Sequence, residues 1–334
     1  MDNKKRTEKY KKGFKFRINI KVIALFIAFE ILFTAITAPL ILIYGPFTQS
    51  KKMFIGTANN SMHFKWLATT FMSQDKINEL LRLNVDYTTE VVTQDTSLVN
   101  IPTVKDETIV RQNITGSSYT GYVLIINDPT RVKVGISSKI GSEGETTSQI
   151  AINNNAVAAI NGGAFASDPD QAEWTQNGGT PTGVLISNGK VVFDDLAGKK
   201  STVAAITNDG RLLAGAYTTQ ELLQKNVVEA LSFDPVLIQN GIKIDVPGTG
   251  TSPRTLIGQR ADGAIVMVVL DSKSGTRVAA TTQDAQDVMA KLGCMTAINL
   301  DGGKSTTMYY NGEVINNPSF ALGERAIISG FIVK

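Results

Sequence analysis

Hydrophobic and polar positions follow different patterns along the chain. Residues 22–44 form an apolar run of 23 residues with a single charge, Glu30. As a helix this run would span roughly 35 Å, which is enough to cross a bilayer. In residues 61–83 apolar side chains recur at spacings of three and four, which predicts an amphipathic helix. Residues 84–105 are polar without a clear period and indicate a linker or an extended strap.

Short apolar runs separated by turns begin at about residue 106 and predict strands. Asn-Gly and Asp-Gly pairs between these runs favour tight hairpins. The pairs are Asn188-Gly189, Asp209-Gly210, Asn240-Gly241 and Asn311-Gly312. Two helices are expected, over residues 218–231 and 281–293, and the apolar segment after the second predicts a strand buried on both faces. The predicted fold class is α+β, a mixed β-sheet with many hairpins covered by a few helices and preceded by an N-terminal transmembrane helix.

Charge is concentrated at the N-terminus. The net charge of the 334 residues is +3, but residues 1–21 hold nine Lys and Arg against two acidic residues, a balance of +7. The rest of the chain therefore carries −4 and does not indicate a basic face for nucleic acid. The positive-inside rule predicts a cytoplasmic segment over residues 1–21, a transmembrane signal anchor over residues 22–44 and an extracytoplasmic remainder at the cell membrane. That remainder divides into a helix and linker, residues 45–105, and a domain, residues 106–334.

The cysteine and histidine content excludes several classes of enzyme. Cys294 is the only cysteine, so no internal disulfide forms, and its apolar surroundings predict a small buried side chain. His63 is the only histidine and lies on the predicted helix of residues 61–83, where a packing or surface role is expected. One cysteine and one histidine do not make a zinc cluster, and they leave no second histidine for triad chemistry.

The loop at residues 302–305, Gly-Gly-Lys-Ser, is similar to a phosphate-binding loop. The Walker A pattern requires a glycine where this chain has Ile298, and it requires a helix after the loop. The residues that follow are instead β-branched or aromatic and end in a hairpin signal. We therefore expect a loop between two strands that presents Asp301, exposed amides and a hydroxyl, and no nucleoside triphosphatase.

Two loops of the chain have the same form. Residues 161–163, Asn-Gly-Gly, and residues 301–303, Asp-Gly-Gly, each follow an apolar strand of small residues. Such loops bind anions through their backbone amides, although each is also explained as a tight turn that needs glycine. Arg254 precedes one predicted strand, and Glu324 and Arg325 precede the last. Two arginines beside two glycine loops indicate a phosphate or sugar-phosphate site.

Five segments, in this order, resemble the phosphodiester glycosidase family: AINGGAF, PRTLIGQ, VVLDSKSG, TTQDAQDVMAKLGCMTAINLDGGKSTTMYYNG and GERAIISGFIV. That family includes the N-acetylglucosamine-1-phosphodiester α-N-acetylglucosaminidase, or uncovering enzyme, and many bacterial exopolysaccharide-associated proteins. The resemblance covers roughly residues 115–334. It implies that residues 106–334 are a catalytic domain, an extracytoplasmic hydrolase that cleaves the glycosidic C1–O bond to phosphate in a sugar-1-phosphodiester of cell-wall or exopolysaccharide metabolism.

The resemblance also implies roles for individual residues. Those that bind substrate and phosphate are Asn161, Gly162, Gly163, Arg254, Gly302, Gly303, Ser305 and Arg325. A phosphate leaving group needs little protonation, so cationic residues substitute for a strong general acid. A carboxylate is still required beside the anomeric carbon. We predict Asp301 in this role, with Asp271 and Glu324 as second carboxylates.

Two positions depart from the family pattern. Many relatives have Asp-Gly-Arg where this chain has Asp271-Ser272-Lys273, and they often have a third glycine at the position of Lys304. Both departures bear on the choice of substrate. No cofactor is predicted, and the sequence leaves the need for a divalent cation undecided. The expected partners are a sugar-phosphate, wall or exopolysaccharide glycan and, through residues 22–44, the membrane, but no nucleic acid.

Two other functions fit the same residues. A non-catalytic membrane-tethered module that binds glycan phosphate would need the arginines and the glycine loops but not the carboxylate. A sugar-phosphate transferase would use the same site and pass the sugar phosphate to an acceptor. The sequence alone does not decide among these three functions.

Overall fold

The computed structural model describes residues 19–59, 65–81, 93–166, 179–246, 250–273, 278–319 and 322–334. The chain forms two compact units, Met1–Lys51 and Lys52–Lys334. His63 and residues 84–92 of the predicted linker lie outside the described residues. The predicted domain boundary at residue 106 falls inside the second unit and stays a prediction.

The first unit contains helix α1 (Ile20–Tyr44), which includes the long apolar run. Asn19 caps its start by accepting a hydrogen bond from the Lys21 amide at 3.1 Å, and the helix ends before Gly45. With 25 residues and a mean hydropathy of 2.3, it is the one described helix that is long and apolar enough to cross a membrane. Such an N-terminal helix is typical of a signal sequence or of a membrane anchor.

Three short helices come next in the chain: α2 (Thr48–Asn59), α3 (Lys65–Phe71) and α4 (Gln74–Leu81). The prediction of a single helix over residues 61–83 is therefore wrong, because the helix is interrupted at Met72 and Ser73. The Ser73 side chain accepts a long hydrogen bond of 3.5 Å from the Lys76 amide. Serine favours the start of a helix over its interior because its hydroxyl competes for backbone groups.

The remaining α-helices among the described residues are α5 (Thr147–Asn153), α6 (Thr219–Gln224) and α7 (Thr282–Lys291). The described strands, in chain order, are β1 (Ile109–Thr115), β2 (Tyr119–Ile126), β3 (Val132–Ile136), β4 (Ala158–Asn161), β5 (Phe165–Ala166), β6 (Thr180–Pro181), β7 (Val184–Ser187), β8 (Lys190–Asp194), β9 (Ser201–Thr207), β10 (Leu212–Tyr217), β11 (Val227–Ser232), β12 (Val236–Gln239), β13 (Ile242–Lys243), β14 (Arg254–Arg260), β15 (Ile265–Ser272), β16 (Cys294–Leu300), β17 (Met308–Tyr310), β18 (Glu313–Val314) and β19 (Ser329–Val333).

These strands form three main sheets and the two-stranded ribbon β5-β6. One sheet has seven strands in the order β1-β2-β15-β14-β16-β12-β13. The other two have five strands each, in the orders β10-β9-β11-β7-β8 and β18-β17-β4-β19-β3. All pairings between the described strands are antiparallel. The α+β class is confirmed, and the short hairpin connections explain why the sheets are antiparallel where a mixed sheet was expected.

The four predicted hairpin turns are confirmed, since they connect β7 to β8, β9 to β10, β12 to β13 and β17 to β18. Asn188, Asn240 and Asn311 have φ values of 50°, 52° and 50°, and each is followed by a glycine with positive φ. Positive φ at both central residues defines the type I′ turn, which matches the twist of the strands that it joins.

The helix predicted over residues 218–231 is wrong in its second half. Helix α6 covers the first part, and Asn226 then has a φ of 56°, which a right-handed helix does not allow. The chain continues from Val227 as β11, a central strand between β9 and β7. Two adjacent valines favour this strand because β-branched side chains pack well on a buried sheet.

The seven-stranded sheet separates two hydrophobic cores, and alternate residues of each strand face opposite cores. Ile257 of β14 packs in the main core, which is shared with the other two sheets through residues such as Leu185 and Phe331. Leu256 faces the other core, which α7 covers with Met289. Strand β16 lies between the two cores and is buried on both faces, as predicted.

Candidate active site

The two glycine loops identified in the sequence lie against each other. The Asp301 amide donates a hydrogen bond to the Gly162 carbonyl at 3.0 Å, and Asn161 Nδ2 donates to the Asp301 carbonyl at 2.5 Å. One loop follows β4 of a five-stranded sheet, and the other follows β16 of the seven-stranded sheet. The candidate site therefore forms where the ends of two sheets meet.

The Asn161 side chain connects these loops to a third strand. It is fully buried, and its Oδ1 accepts hydrogen bonds from Thr255 Oγ1 at 2.7 Å and from the Thr307 amide at 3.0 Å. Its Nδ2 is the group that holds the Asp301 carbonyl. Because both ends of this amide form hydrogen bonds within the protein, Asn161 holds the two loops together.

The glycines allow these segments to approach closely. Gly303 has a φ of 61°, and its amide donates to the Pro253 carbonyl at 2.9 Å. A Cβ atom on Gly302 would lie only 2.7 Å from the same Pro253 oxygen, so a side chain there would push the loop away. Gly162 and Gly163 are packed as closely against neighbouring residues.

Asp301 is half-buried as a residue, while its Oδ2 is enclosed and makes no hydrogen bond within the described residues. Burial raises the pKa of Asp301 to about 6. The Ser305 hydroxyl, the charge of Arg325 and the Gly302 amide each act to lower that pKa. By geometry, Ser305 Oγ and Asp301 Oδ2 each lack a hydrogen-bond partner among the described residues, although the hydroxyl lies close enough to lower the pKa of the carboxyl. A carboxylate held in this way is ionised at neutral pH and takes up a proton in mildly acidic solution.

Arg325 supplies a positive charge to the site. It is half-buried, and its Cζ lies 5.0 Å from the centre of the Phe165 ring. Within the part of the chain that the structure describes, its guanidinium makes no hydrogen bond or ion pair. Its charge nevertheless lowers the pKa of Asp301. The donors of Arg325 are therefore available to an anionic ligand beside that carboxylate.

Hydroxyl groups without partners surround the Asp301 loop. Ser305, Thr306 and Thr307 are fully buried, and none of their side-chain oxygens makes a hydrogen bond to the described protein atoms. Together with Asp301 Oδ2 they make four such oxygens within seven residues of chain. A buried polar atom without a partner costs roughly 1–3 kcal/mol, so such groups concentrate where water or a ligand supplies the partner.

Asp271 lies at the end of β15 and is buried, which raises its pKa. Its two oxygens accept hydrogen bonds from Asn316 Nδ2 at 2.9 Å and from the Asn317 amide at 2.7 Å. Asn316 Nδ2 also donates to the Thr306 carbonyl at 3.1 Å. Asp271 therefore holds the chain that supports the Ser305 segment, and both of its oxygens are occupied.

Glu324 accepts hydrogen bonds from the Ser148 amide at 3.0 Å and from the Ser148 hydroxyl. Ser148 lies in the first turn of α5, where free backbone amides favour a carboxylate. This contact fixes the backbone just before Arg325. Among the described residues, no group of three His, Cys, Asp or Glu side chains could hold a metal ion.

Arg254 points to the opposite face of the seven-stranded sheet. Its neighbour Thr255 reaches Asn161, and adjacent strand residues face opposite sides. The buried Arg254 guanidinium donates to the Gly250 carbonyl at 3.2 Å and, more weakly, to the Ala280 carbonyl at 3.4 Å. Burial lowers the pKa of Arg254 to about 10, against the opposing charge of Asp284. The structure thus brings the side chains of Asp301, Ser305 and Arg325 together at the glycines. The Arg254 backbone adjoins Gly302, but its side chain is directed to the other face of the sheet.

A comparison with known families matches residues 154–334 to the phosphodiester glycosidase family. The chain belongs to the phosphodiester glycosidase family. The matched residues include both glycine loops, Asp301 and Arg325, so the resemblance noted in the sequence is confirmed.

Two proteins that the chain matches are distant from it in sequence. The chain is 28% identical over 219 residues to the SPbeta prophage-derived uncharacterized protein YomE of Bacillus subtilis (strain 168), covering 62% of this chain and 31% of that protein. It is 27% identical over 194 residues to the N-acetylglucosamine-1-phosphodiester alpha-N-acetylglucosaminidase of Bos taurus, covering 52% of this chain and 35% of that enzyme. The chain thus spans about a third of the length of these two relatives.

Two solved structures have a similar fold. The zebrafish N-acetylglucosamine-1-phosphodiester alpha-N-acetylglucosaminidase catalytic domain, auto-inhibited by its pro-peptide, aligns with a TM-score of 0.56 and 22% identity over 70% of this chain and 86% of that domain. A putative exported protein from Burkholderia pseudomallei K96243 aligns with a TM-score of 0.51 and 16% identity over 66% of this chain and 75% of that one. These similarities show a shared fold.

The polar residues that brace the site in this member of the phosphodiester glycosidase family were not predicted from the sequence. Thr255, Asn316 and Ser148 each hold one of the predicted site residues through a side-chain hydrogen bond. A lone polar residue in an otherwise apolar strand, such as Thr255, was an available signal. Phe165 belongs to the AINGGAF segment that carries the resemblance, but its position after the glycines gave it no predicted role.

Proposed function

We propose that this protein hydrolyses a sugar-1-phosphodiester in cell-wall or exopolysaccharide metabolism. The observation that carries the proposal is an incompletely bonded buried carboxylate, Asp301, at two joined glycine loops, close enough to the half-buried Arg325 for the charge of the arginine to lower the pKa of the carboxyl. In such a site the arginine can bind an anionic phosphate while the carboxylate lies next to the sugar. The family of the chain and the named activity of its mammalian relative support the same reaction class.

In the proposed reaction the oxygen of water bonds to the anomeric carbon while the C1–O bond to phosphate breaks. The electron pair of that bond leaves with the phosphate, which departs as a phosphate monoester, and the sugar is released with a free C1 hydroxyl. Arg325 stabilises the phosphate, while ionised Asp301 stabilises the oxocarbenium-like centre or takes the proton of the attacking water. The amides of Gly162, Asp301 and Gly303 donate to backbone carbonyls of the protein, so we assign them to the shape of the loops, although the sequence predicted exposed amides here. Because the leaving phosphate is weakly basic, Arg325 substitutes for a general acid.

The other predicted residues have supporting roles in this proposal. Asp271 and Glu324 each use both oxygens within the protein, so we assign them to positioning the Ser305 segment and Arg325, respectively. Arg254 stabilises the Gly250 loop on the far face of the sheet. Asn161 joins the two glycine loops.

We further propose that α1 remains as a membrane anchor and that the domain after it is extracytoplasmic. The long apolar helix and the nine basic residues that precede or begin it support this topology. The substrate would then be a glycan phosphodiester outside the membrane, which agrees with a site where Arg325 can bind an anion.

The test of the proposed function is product analysis. The purified full-length protein in detergent is incubated with a panel of sugar-1-phosphodiesters, beginning with an N-acetylglucosamine-1-phosphodiester, with and without an acceptor glycan. Release of the free sugar and the phosphate monoester is the expected result. Transfer of the sugar phosphate to the acceptor would make the protein a transferase, and binding without turnover of any member would make it a glycan-phosphate binding module.

A further inference from the structure

Phe165 lies at a junction of the fold. It is the first residue of β5, two positions after Gly163, and pairs with Pro181 of β6. Its half-buried ring packs against both the main core and the smaller core around α5. The ring is therefore fixed from two sides, while one face lies under the guanidinium of Arg325, 5.0 Å from the ring centre.

We propose that Phe165 is the positioning residue that holds the Arg325 guanidinium at the phosphate site. The inference rests on the proposed function and extends it to a residue outside the predicted site. Arginine is a long side chain with many rotamers, and an aromatic face attracts its guanidinium by cation–π interaction and by stacking. The ring leaves the edge donors of the guanidinium free, whereas a carboxylate partner would occupy them.

Phe165 is the described residue that restrains the Arg325 side chain. Glu324 fixes the neighbouring backbone through Ser148, but it does not restrain the Arg325 side chain. Within the described residues, the guanidinium has no hydrogen-bond or ion-pair partner that would hold it instead. Asp301 responds to the charge of Arg325 without a salt bridge between them. The position of the guanidinium relative to Asp301 therefore depends on the Phe165 ring.

The change Phe165→Leu removes the aromatic face and keeps most of the apolar bulk. We expect kcat/KM for a sugar-1-phosphodiester to fall about threefold to thirtyfold, the range of a cation–π interaction at a partly desolvated site. Phe165→Tyr keeps the face and should retain wild-type activity. Phe193→Leu is the matched control, because Phe193 is also half-buried against the main core and no cation stacks on it among the described contacts.

A double-mutant cycle separates positioning from packing. If Phe165 acts through Arg325, Phe165→Leu should have little further effect in an Arg325→Ala background, because the guanidinium that it holds is already gone. Equal losses from Phe165→Leu in the wild-type and Arg325→Ala backgrounds would overturn the proposal. Loss of activity in Phe193→Leu as large as in Phe165→Leu would do the same.

A measurement without turnover keeps this inference separate from the proposed hydrolysis. In the full-length protein labelled with carbon-13 at its aspartate carboxyls, the Asp301 signal is assigned by its absence in Asp301→Asn. Phe165→Leu and Arg325→Ala should each raise the pKa of Asp301, and the two changes together should raise it no further than Arg325→Ala does. If Arg325→Ala raises that pKa and Phe165→Leu does not, the positioning role is wrong. If both raise it but no phosphodiester is hydrolysed, the positioning role holds and the proposed reaction fails.

Discussion

The Asn161 side-chain amide donates a 2.5 Å hydrogen bond to the main-chain carbonyl of Asp301. The carbonyl end of the same amide accepts from Thr255 and from the Thr307 backbone. One buried side chain thus joins β4, β14 and the loop after β16. A carboxylate that stabilises a transition state must be held rigidly, and this amide holds the Asp301 backbone together with the hydrogen bond from the Asp301 amide to Gly162.

We predict that Asn161→Ala lowers both stability and activity. The change removes three hydrogen bonds and leaves a buried hydroxyl, amide and carbonyl without partners, at roughly 1–3 kcal/mol for each group that water does not reach. Thermal unfolding should show a lower Tm, and kcat should fall because the Asp301 loop loses its brace. The exposed Asn153→Ala, which removes a single 3.2 Å hydrogen bond to Glu145, is the control and should change little. Wild-type Tm and kcat in Asn161→Ala would contradict the bracing role.

Asp301→Asn should fold and lose turnover. The amide preserves the shape of the side chain but not its charge or basicity, so hydrolysis of a sugar phosphodiester should fall at least about a hundredfold. The Tm should be equal to or above that of the wild type, because the substitution removes a buried charge that the protein only partly compensates. Asp262→Asn, at the exposed hairpin turn between β14 and β15, is the control. Full turnover by a folded Asp301→Asn protein would remove Asp301 from the chemistry.

The fold was predictable wherever the signal was local. Asn-Gly turns such as Asn311-Gly312 determine their own geometry through positive φ, and the helix after Thr281 carries its cap within four residues. The segment after Asn226 was mispredicted because Val227 and the residues that follow fit a helical pattern locally. They became a strand because β9 and β7 offer pairing on both sides, which is a tertiary effect.

The site residues also differ in whether a local sequence signal predicts their position. Asp301 and the glycines could be predicted as site residues because a loop with an acid and two glycines at the end of a buried strand is visible in a short stretch of sequence, and their role stays a prediction. Arg254 was grouped with Arg325 because both precede strands, yet β14 turns Arg254 to the far face. Which face a strand residue occupies depends on register with the neighbouring strands, and no short motif contains that information.

The topology of the chain gives a prediction that is independent of catalysis. If α1 is an anchor with the basic segment on the cytoplasmic side, protease added to intact cells or right-side-out vesicles should digest the chain beyond residue 44. A cleaved signal sequence would instead release a soluble domain that lacks residues 1–44, which the mass of the mature protein would reveal. Protection of the whole chain in sealed vesicles, with digestion only after detergent is added, would contradict this topology and place the domain on the cytoplasmic side.

The activity should depend on pH through Asp301. Its pKa of about 6 predicts that kcat/KM is low in acid, rises as the carboxylate ionises through pH 6 and is level above. The contribution of Asp301 to stability changes with pH in the opposite direction to the activity. Because the folded-state pKa lies above the ordinary value of 3.8, the folded protein binds the proton more tightly, so this contribution to stability is present at low pH and is lost as pH rises towards 6. In Asp301→Asn that share of the pH dependence of Tm should disappear.

Arg325 and Arg254 should respond to substitution in different ways. Arg325→Ala removes a half-buried cation that has no hydrogen bond within the described residues, so the Tm should change little. Its kcat/KM should fall about a hundredfold to a thousandfold, the scale of a lost electrostatic group at a transition state, and Arg325→Lys should recover only part of it. The acidic limb of the pH profile should also move to higher pH, because the charge that lowers the pKa of Asp301 is gone.

Arg254→Ala should act first on stability. The guanidinium is buried and holds the Gly250 and Ala280 carbonyls, so its loss should lower the free energy of unfolding by about 1–3 kcal/mol and the Tm accordingly. Activity should fall only as far as the Pro253 backbone, which supports Gly303, is displaced. The pH profile of the residual activity should keep its limb near pH 6, because Arg254 is not among the groups that shift the pKa of Asp301. A folded Arg254→Ala protein with an unchanged Tm and a large rise in KM would instead place Arg254 on the phosphate, as the sequence alone predicted.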